Sequence, residues 1–154
     1  MPNAYSQIYI HIIFAVKGRK CHISEQHRDE LEKYISGIIN KFKCKCLSIY
    51  CNPDHIHMLI SFNPCVSISD MVRIIKSNSS KFINEKRWMP FGFFWQEGYG
   101  AFSYAESQIN AVKGYISTQP EHHKKKSFKE EYISILKNFN IDFDKKYLFL
   151  WEEK

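Results

Sequence analysis

The sequence predicts an α+β fold built on an antiparallel sheet, from three stretches of contrasting periodicity. Between Ser6 and Val16 apolar residues alternate, with Ile8, Ile10, Ile12, Phe14 and Val16 on one face and Gln7, Tyr9, His11 and Ile13 on the other. From about Glu25 to Phe42 the spacing turns helical, with Leu31, Tyr34, Ile35, Ile38, Ile39 and Phe42 on one side. Between Asp54 and Phe62 alternation returns, with Ile56, Met58, Ile60 and Phe62 facing a core and His55 and His57 facing away.

The elements follow in order. The first strand has strong propensity, and Ser24 sits where an N-cap would open the first helix. Cys44 to Cys51 reads as a second strand. Asn52-Pro53-Asp54 supplies turn chemistry, so the second strand and the two-histidine strand should form a hairpin. After Asn63-Pro64, Ser67 and Asp70 resemble a capping box for a helix that turns Ile68, Met71, Val72, Ile75, Phe82 and Ile83 inward and leaves Arg73, Lys76 and Lys81 on its polar sides. Trp88 to Tyr104 is rich in aromatics and broken by Pro90, Gly92, Gly98 and Gly100, which predicts loops and the last strand. Ser103 and Glu106 could cap a third helix with Ile109, Val112 and Ile116 on its stripe, ending near Gln119 because Pro120 disfavours helix in the residue before it. Ser127 and Glu130 suggest a further capping box, with Phe128, Tyr132, Ile135, Leu136 and Phe139 forming a last amphipathic helix. The order strand, helix, strand, strand, helix, strand is that of a ferredoxin-like (RRM-like) sheet with helices on one face and helices added at the C-terminus. In that arrangement the first and third strands are central neighbours, and His11 can lie beside His55 and His57.

With 154 residues, 44% hydrophobic and 16% aromatic, the chain can bury a substantial core, and it reads as one domain over residues 1–154. No apolar run approaches the ~20 residues that span a bilayer, and Met1 to Ser6 lack the features of a signal peptide, so no membrane partner and a cytoplasmic location are expected. Cys21, Cys44, Cys46, Cys51 and Cys65 form no CxxC pair and read as free thiols. Lys and Arg total 22 against 16 Asp and Glu, a net charge of +6 that favours a polyanionic partner. The positive charge gathers around Lys113 and from His122 and His123 through Lys124, Lys125, Lys126 and Lys129. This stretch, with Arg73 and Lys76, supplies the candidate nucleic-acid contacts; a solvated basic face is the plainer alternative.

Tyr115 and Gln119 lie one helical turn apart and project from the same side of the third helix. The histidine pair with its lead-in Pro53-Asp54, the stretch Trp95-Gln96-Glu97-Gly98-Tyr99-Gly100-Ala101-Phe102-Ser103, and Tyr115-Ile116-Ser117-Thr118-Gln119 running into Glu121-His122-His123 occur in this order. Together they resemble the single-tyrosine insertion-sequence transposases (IS200-like) of the HUH endonuclease superfamily, over nearly the whole chain. The resemblance implies that His55 and His57, with Gln119 through its amide oxygen, bind one divalent cation, Mg²⁺ or Mn²⁺. It implies that Tyr115, in the added helical region, is the nucleophile. A phenol with an unperturbed pKa of ~10 must lose its proton as it attacks. The product is a 5′-phosphotyrosine and a free 3′-hydroxyl; because the bond keeps the energy of the phosphodiester, rejoining needs no ATP. No Gly-rich phosphate cradle occurs in the sequence, and no nucleotide cofactor is expected.

The resemblance further implies a single-stranded DNA substrate with hairpin ends, and a homodimer in which the histidines of one subunit can meet the tyrosine of the other. For His11 a structural role is preferred over supporting a ligand or contacting DNA, and for Asp54 finishing the turn is preferred over orienting a ligand. Two rivals stand beside this reading: a ferredoxin-like module that binds nucleic acid without cutting it, and a domesticated relative that processes repeated genomic hairpins.

Overall fold

The computed structural model describes residues 4–18 and 22–151. Its strands and α-helices are β1 (Tyr9–Ala15), α1 (Glu25–Lys41), β2 (Lys45–Cys51), β3 (His55–Ser61), α2 (Ile68–Glu85), β4 (Gly100–Tyr104), α3 (Ile109–Ser117), α4 (Gln119–His123) and α5 (Phe128–Asn138). The four strands form one antiparallel sheet in the order β2-β3-β1-β4, which puts β1 and β3 at its centre as expected. Asn52 N donates to His55 O at 2.8 Å and closes the β2–β3 hairpin over Pro53-Asp54.

The pleat separates two kinds of chemistry. Ile10, Ile12, Phe14, Ile56, Met58 and Ile60 point to one face and form one buried core with Leu31, Ile35 and Ile39 of α1 and Met71, Val72 and Ile75 of α2. Opposite pairs in the register, Ile13 with His57 and Ala15 with His55, point to the other face. That second face is covered too. Ile109, Val112 and Ile116 of α3 pack on Leu59, and Phe128, Tyr132 and Leu136 of α5 are buried in the cluster that also holds Phe102 and Phe149. The histidines therefore lie beneath the added helices, where both His55 and His57 are buried.

Most local expectations hold, and two are revised, at Ser103 and at Pro120. Ser24 occupies the N-cap position of α1 without a side-chain capping bond, whereas Ser67 Oγ accepts from Asp70 N at 3.1 Å. Ser103 belongs to β4, and the turn into α3 is closed by Gln108, whose Oε1 accepts from Ala105 N at 2.9 Å. Pro120 does not end the helical region. The chain breaks at Thr118, and Pro120 falls in the first turn of α4, where a missing N–H is no loss. Ser127 and Glu130 form the expected capping box of α5. Cys44, Cys46, Cys51 and Cys65 are free thiols; Cys21 lies outside the described residues. Among those residues no helix is long and apolar enough to cross a membrane.

Candidate metal and nucleophile site

The alternation of β3 sets His55 and His57 side by side, with ring centroids 5.1 Å apart. Each ring is held from behind. His55 Nδ1 lies 2.7 Å from Asp54 Oδ1, and its ring stacks on Phe128 of α5 at 3.7 Å. Asn52 Nδ2 approaches His55 Nε2 at 3.1 Å, so in the neutral ring Nδ1 carries the proton toward Asp54 and Nε2 is the acceptor, while the charged ring also donates from Nε2 toward Glu131. Asp54 thus both finishes the turn and orients a histidine. His57 Nδ1 lies 2.8 Å from His11 Nε2.

The front of both rings meets α5. Glu131 Oε1 is 3.0 Å from His57 Nε2 and 3.5 Å from His55 Nε2. His123 Nε2 lies 3.4 Å from the same oxygen. Ligand atoms from His55, His57, His123 and Glu131 all fall within 4.8 Å of one another. The other carboxylate oxygen, Oε2, accepts from the Tyr115 hydroxyl and from Gln119 Nε2 at 3.3 Å.

The helical break preserves the spacing of the tyrosine helix. Tyr115, Gln119 and His123 succeed one another at intervals of four residues, and Gln119 Oε1 accepts from His123 Nε2 at 2.9 Å and from Asn52 Nδ2 at 3.1 Å. Gln119 is fully buried beside the histidines. Tyr115 is half-buried, its ring 5.9 Å from that of His57 and 4.6 Å from that of His122. The tyrosine and the histidine pair of one chain meet without a second subunit.

Burial would raise the Glu131 carboxyl, but hydrogen bonds from His123, His55 and His57 outweigh it and hold the group well below the usual carboxylate range. Burial, then the charge and hydrogen bond of Glu131, push the Tyr115 phenol well above its ordinary value. Burial lowers His57 to about 4. Burial opposes charge on His55 as well, but the hydrogen bonds to Asp54 and Glu131 leave its pKa raised. The cluster is a buried anion ringed by imidazoles, with a protonated phenol at its edge.

Two clefts reach this cluster. One, of about 570 Å³, runs past His55 and His123 between Asn52–Asp54 and the basic segment Lys124–Lys126. The other, of about 520 Å³, opens beneath Tyr115 between α3 and α5, with His11 and Tyr104 among its lining. Lys126 borders both. Lys124 and Lys125 thus flank the site, and Lys113 is exposed on α3. Arg73 and Lys76 lie on α2, across the sheet from the histidines. Arg73 faces Asp70 at 3.5 Å, while Lys76 Nζ donates to Gln96 O at 2.8 Å and Gly98 O at 2.7 Å, tying the ammonium to the loop before β4. His122, near Tyr115, meets Thr118 Oγ1 at 3.0 Å, and His123, read from the sequence as a DNA contact, joins His55, His57 and Glu131 in the group that could hold a metal ion. The Trp95–Ser103 block serves the frame. Trp95 packs edge-on against Phe14 with centroids 4.8 Å apart, and the Gln96 amide donates to Val16 O at 3.0 Å and Leu150 O at 2.9 Å, bringing the C-terminal segment to the first cleft.

Glu131 and Asn52 are not singled out by the sequence reading. Glu131 did carry a signal: it falls within the stripe Phe128, Tyr132, Ile135, Leu136, Phe139, where a carboxylate on a core-facing position needs a partner. Asn52 carried none beyond its place in a turn.

Residues 4–119 match the family described as "Transposase IS200 like". The ISDra2 transposase TnpA of Deinococcus radiodurans is 26% identical over 120 residues, covering 73% of this chain and 84% of the relative. The transposase for insertion sequence element IS200 of Salmonella typhimurium is 27% identical over 119 residues, covering 74% and 78%. Among solved structures, a protein described as a transposase from Deinococcus radiodurans superposes with a TM-score of 0.61 at 21% identity, covering 76% of this chain and 94% of the other. A REP-associated tyrosine transposase bound to a REP hairpin gives 0.60 at 14% identity, covering 79% and 72%.

Proposed function

The chain belongs to the IS200-like transposase family, and from that premise we propose that it cuts and rejoins single-stranded DNA through a 5′-phosphotyrosine at Tyr115, with a divalent cation at the histidine cluster. The observation that carries this reading is the convergence on one carboxylate, Glu131, of the imidazole nitrogens of His55, His57 and His123 and the Tyr115 hydroxyl.

The residues fit a cation. Three imidazoles and a carboxylate offer their ligand atoms within 4.8 Å of one another, and the far nitrogens of His55 and His57 are held by Asp54 and His11, the support that metal-binding histidines need. His55, His57 and Glu131 would hold it, with His123 and Gln119 beside them. Of Mg²⁺ and Mn²⁺, the imidazole-rich donor set favours Mn²⁺. When bound, the cation supplies Lewis-acid polarisation of a phosphate oxygen.

The chain's own groups account for the remaining chemistry. Glu131 Oε2 accepts the phenol proton of Tyr115 as the tyrosine oxygen attacks phosphorus. The bond from phosphorus to the 3′-oxygen breaks, that oxygen takes up a proton from water, and the 5′-phosphate stays on Tyr115. Attack by a 3′-hydroxyl reverses the sequence and joins strands. Lys124, Lys125 and Lys126 line the first cleft, where they can neutralise strand phosphates. We read the scaffold as ferredoxin-like and the chain as one cytoplasmic domain that dimerises and recognises hairpin ends. The hairpin in the solved relative accords with this last point.

Incubation with end-labelled single-stranded DNA from the flanks of the gene tests the reading. An SDS-resistant adduct that forms with Mn²⁺, disappears with chelator and is absent from Tyr115→Phe supports it. Tight DNA binding with no adduct on flanks carrying the ends would instead favour the non-catalytic binding module.

A further inference from the structure

His11 stands apart from the other site residues because it reaches neither the tyrosine nor the carboxylate. It lies on β1, opposite Leu59, and is 1% exposed. Its ring stacks on His57 with centroids 5.0 Å apart and lies near Phe102 and Tyr104. Its single polar contact among the described residues is the 2.8 Å approach of Nε2 to His57 Nδ1. Among those residues, His11 Nδ1 is the buried side-chain nitrogen or oxygen with no hydrogen-bond partner. A polar atom orphaned in an aromatic pocket is unfavourable, and a phenylalanine would fill the same space without it. Packing alone therefore leaves the imidazole unexplained.

The neighbouring ring suggests what it is for. His55 presents Nε2 to the cluster because Asp54 takes its Nδ1 proton. His57 has no carboxylate behind it; the group in the corresponding position is His11 Nε2. We propose that His11 is the positioning residue of His57, accepting the Nδ1–H of that ring so that its Nε2 lone pair is aimed at the cation. The inference rests on the metal reading given above.

The direction of the 2.8 Å bond follows from how His57 is used. Facing only Glu131, His57 can donate from Nε2 and accept at Nδ1. With a cation on Nε2, the one proton of the neutral ring sits on Nδ1 and must be donated to His11 Nε2, and the His11 proton then sits on the orphaned Nδ1. Neither asparagine nor phenylalanine at position 11 reproduces that acceptor. Glutamine does, because its amide oxygen reaches about as far from the backbone as an imidazole Nε2.

Mn²⁺ titration followed by the loss of the free-ion spin-resonance signal tests the proposal without DNA or turnover. His11→Phe should weaken Mn²⁺ binding by about 10–100-fold, the usual cost of removing such a support, and His11→Gln should recover most of it. Equal affinity in wild type and His11→Phe overturns the proposal while leaving the metal reading intact. Failure of the wild-type protein to bind Mn²⁺, with His55→Ala unchanged, overturns both. A second readout needs no variant to fold: in ¹⁵N-histidine spectra of the wild-type protein loaded with diamagnetic Zn²⁺, both His57 and His11 should be Nδ1–H tautomers. An Nε2–H tautomer at His11 in that state contradicts the proposal.

Discussion

Glu131 binds the site together at the scale of single residues. One of its oxygens faces the imidazoles of His55, His57 and His123, and the other takes the Tyr115 hydroxyl and the Gln119 amide. Glu131→Gln keeps the shape and removes the charge. It should weaken Mn²⁺ binding at least as much as the roughly 10–100-fold typical of losing an outer partner, measured by calorimetry. It should also bring the Tyr115 phenol back toward its ordinary value, read as a lowered titration midpoint in ultraviolet difference spectra, because part of the upward shift comes from the Glu131 charge and hydrogen bond. His57 gives a pH signature to the metal-free protein. Its folded pKa of about 4 lies below the ordinary 6.5, so the unfolded chain binds the extra proton between these values. Stability should therefore fall as pH drops from about 6.5 toward 4, by on the order of 2–3 kcal/mol from this group. Urea unfolding of wild type and His57→Gln across that range checks it, the variant losing that share of the slope.

The elements explain which parts of the site could be read in advance. The sheet strands and α1 were legible because periods of two and 3.6 are written directly in Ile10–Phe14, Ile56–Ile60 and Leu31–Ile39. The same alternation exposed His55 and His57 as neighbours on the face away from the main core. The break at Thr118 was not legible, because a proline reads equally as the end of one helix or the first turn of the next. The closure of α5 over the histidines was not legible either, since it depends on contacts between distant segments: Phe128 stacks on His55, and Tyr132 covers β4. That cover leaves no room at Gly100, where an added Cβ would come 2.7 Å from Tyr132 Oη and 2.8 Å from the Phe102 ring. Gly100→Ala should push Tyr132 and its neighbour Glu131 outward, costing about 1–3 kcal/mol in thermal or denaturant unfolding and weakening Mn²⁺ binding along with it. Gly98→Ala, on an open but positive-φ position, should cost stability without touching metal affinity.

Across the whole molecule, the sheet divides labour between its faces: α1 and α2 complete a core on one, and the added C-terminal helices enclose the chemistry on the other. Part of the positive charge gathers at the mouth of the first cleft, where the Lys124–Lys126 run meets His55 and His123. Lys124→Ala and Lys125→Ala should each weaken single-strand binding and flatten the dependence of log affinity on log salt by about 0.7. Arg73→Ala, on the opposite side of the sheet, should leave that slope unchanged. On the function proposed here, the tyrosine beside this cluster becomes covalently joined to DNA. Trypsin cleavage after Lys113 and Lys124 isolates Gly114–Lys124, in which Tyr115 is the sole tyrosine. Mass spectrometry of that peptide after reaction with flanking single-stranded DNA and Mn²⁺, followed by nuclease trimming, should find a nucleotide 5′-phosphate on the Tyr115 side chain. A nucleotide on any other residue, or an unmodified peptide from DNA that has been cut, would contradict the claim.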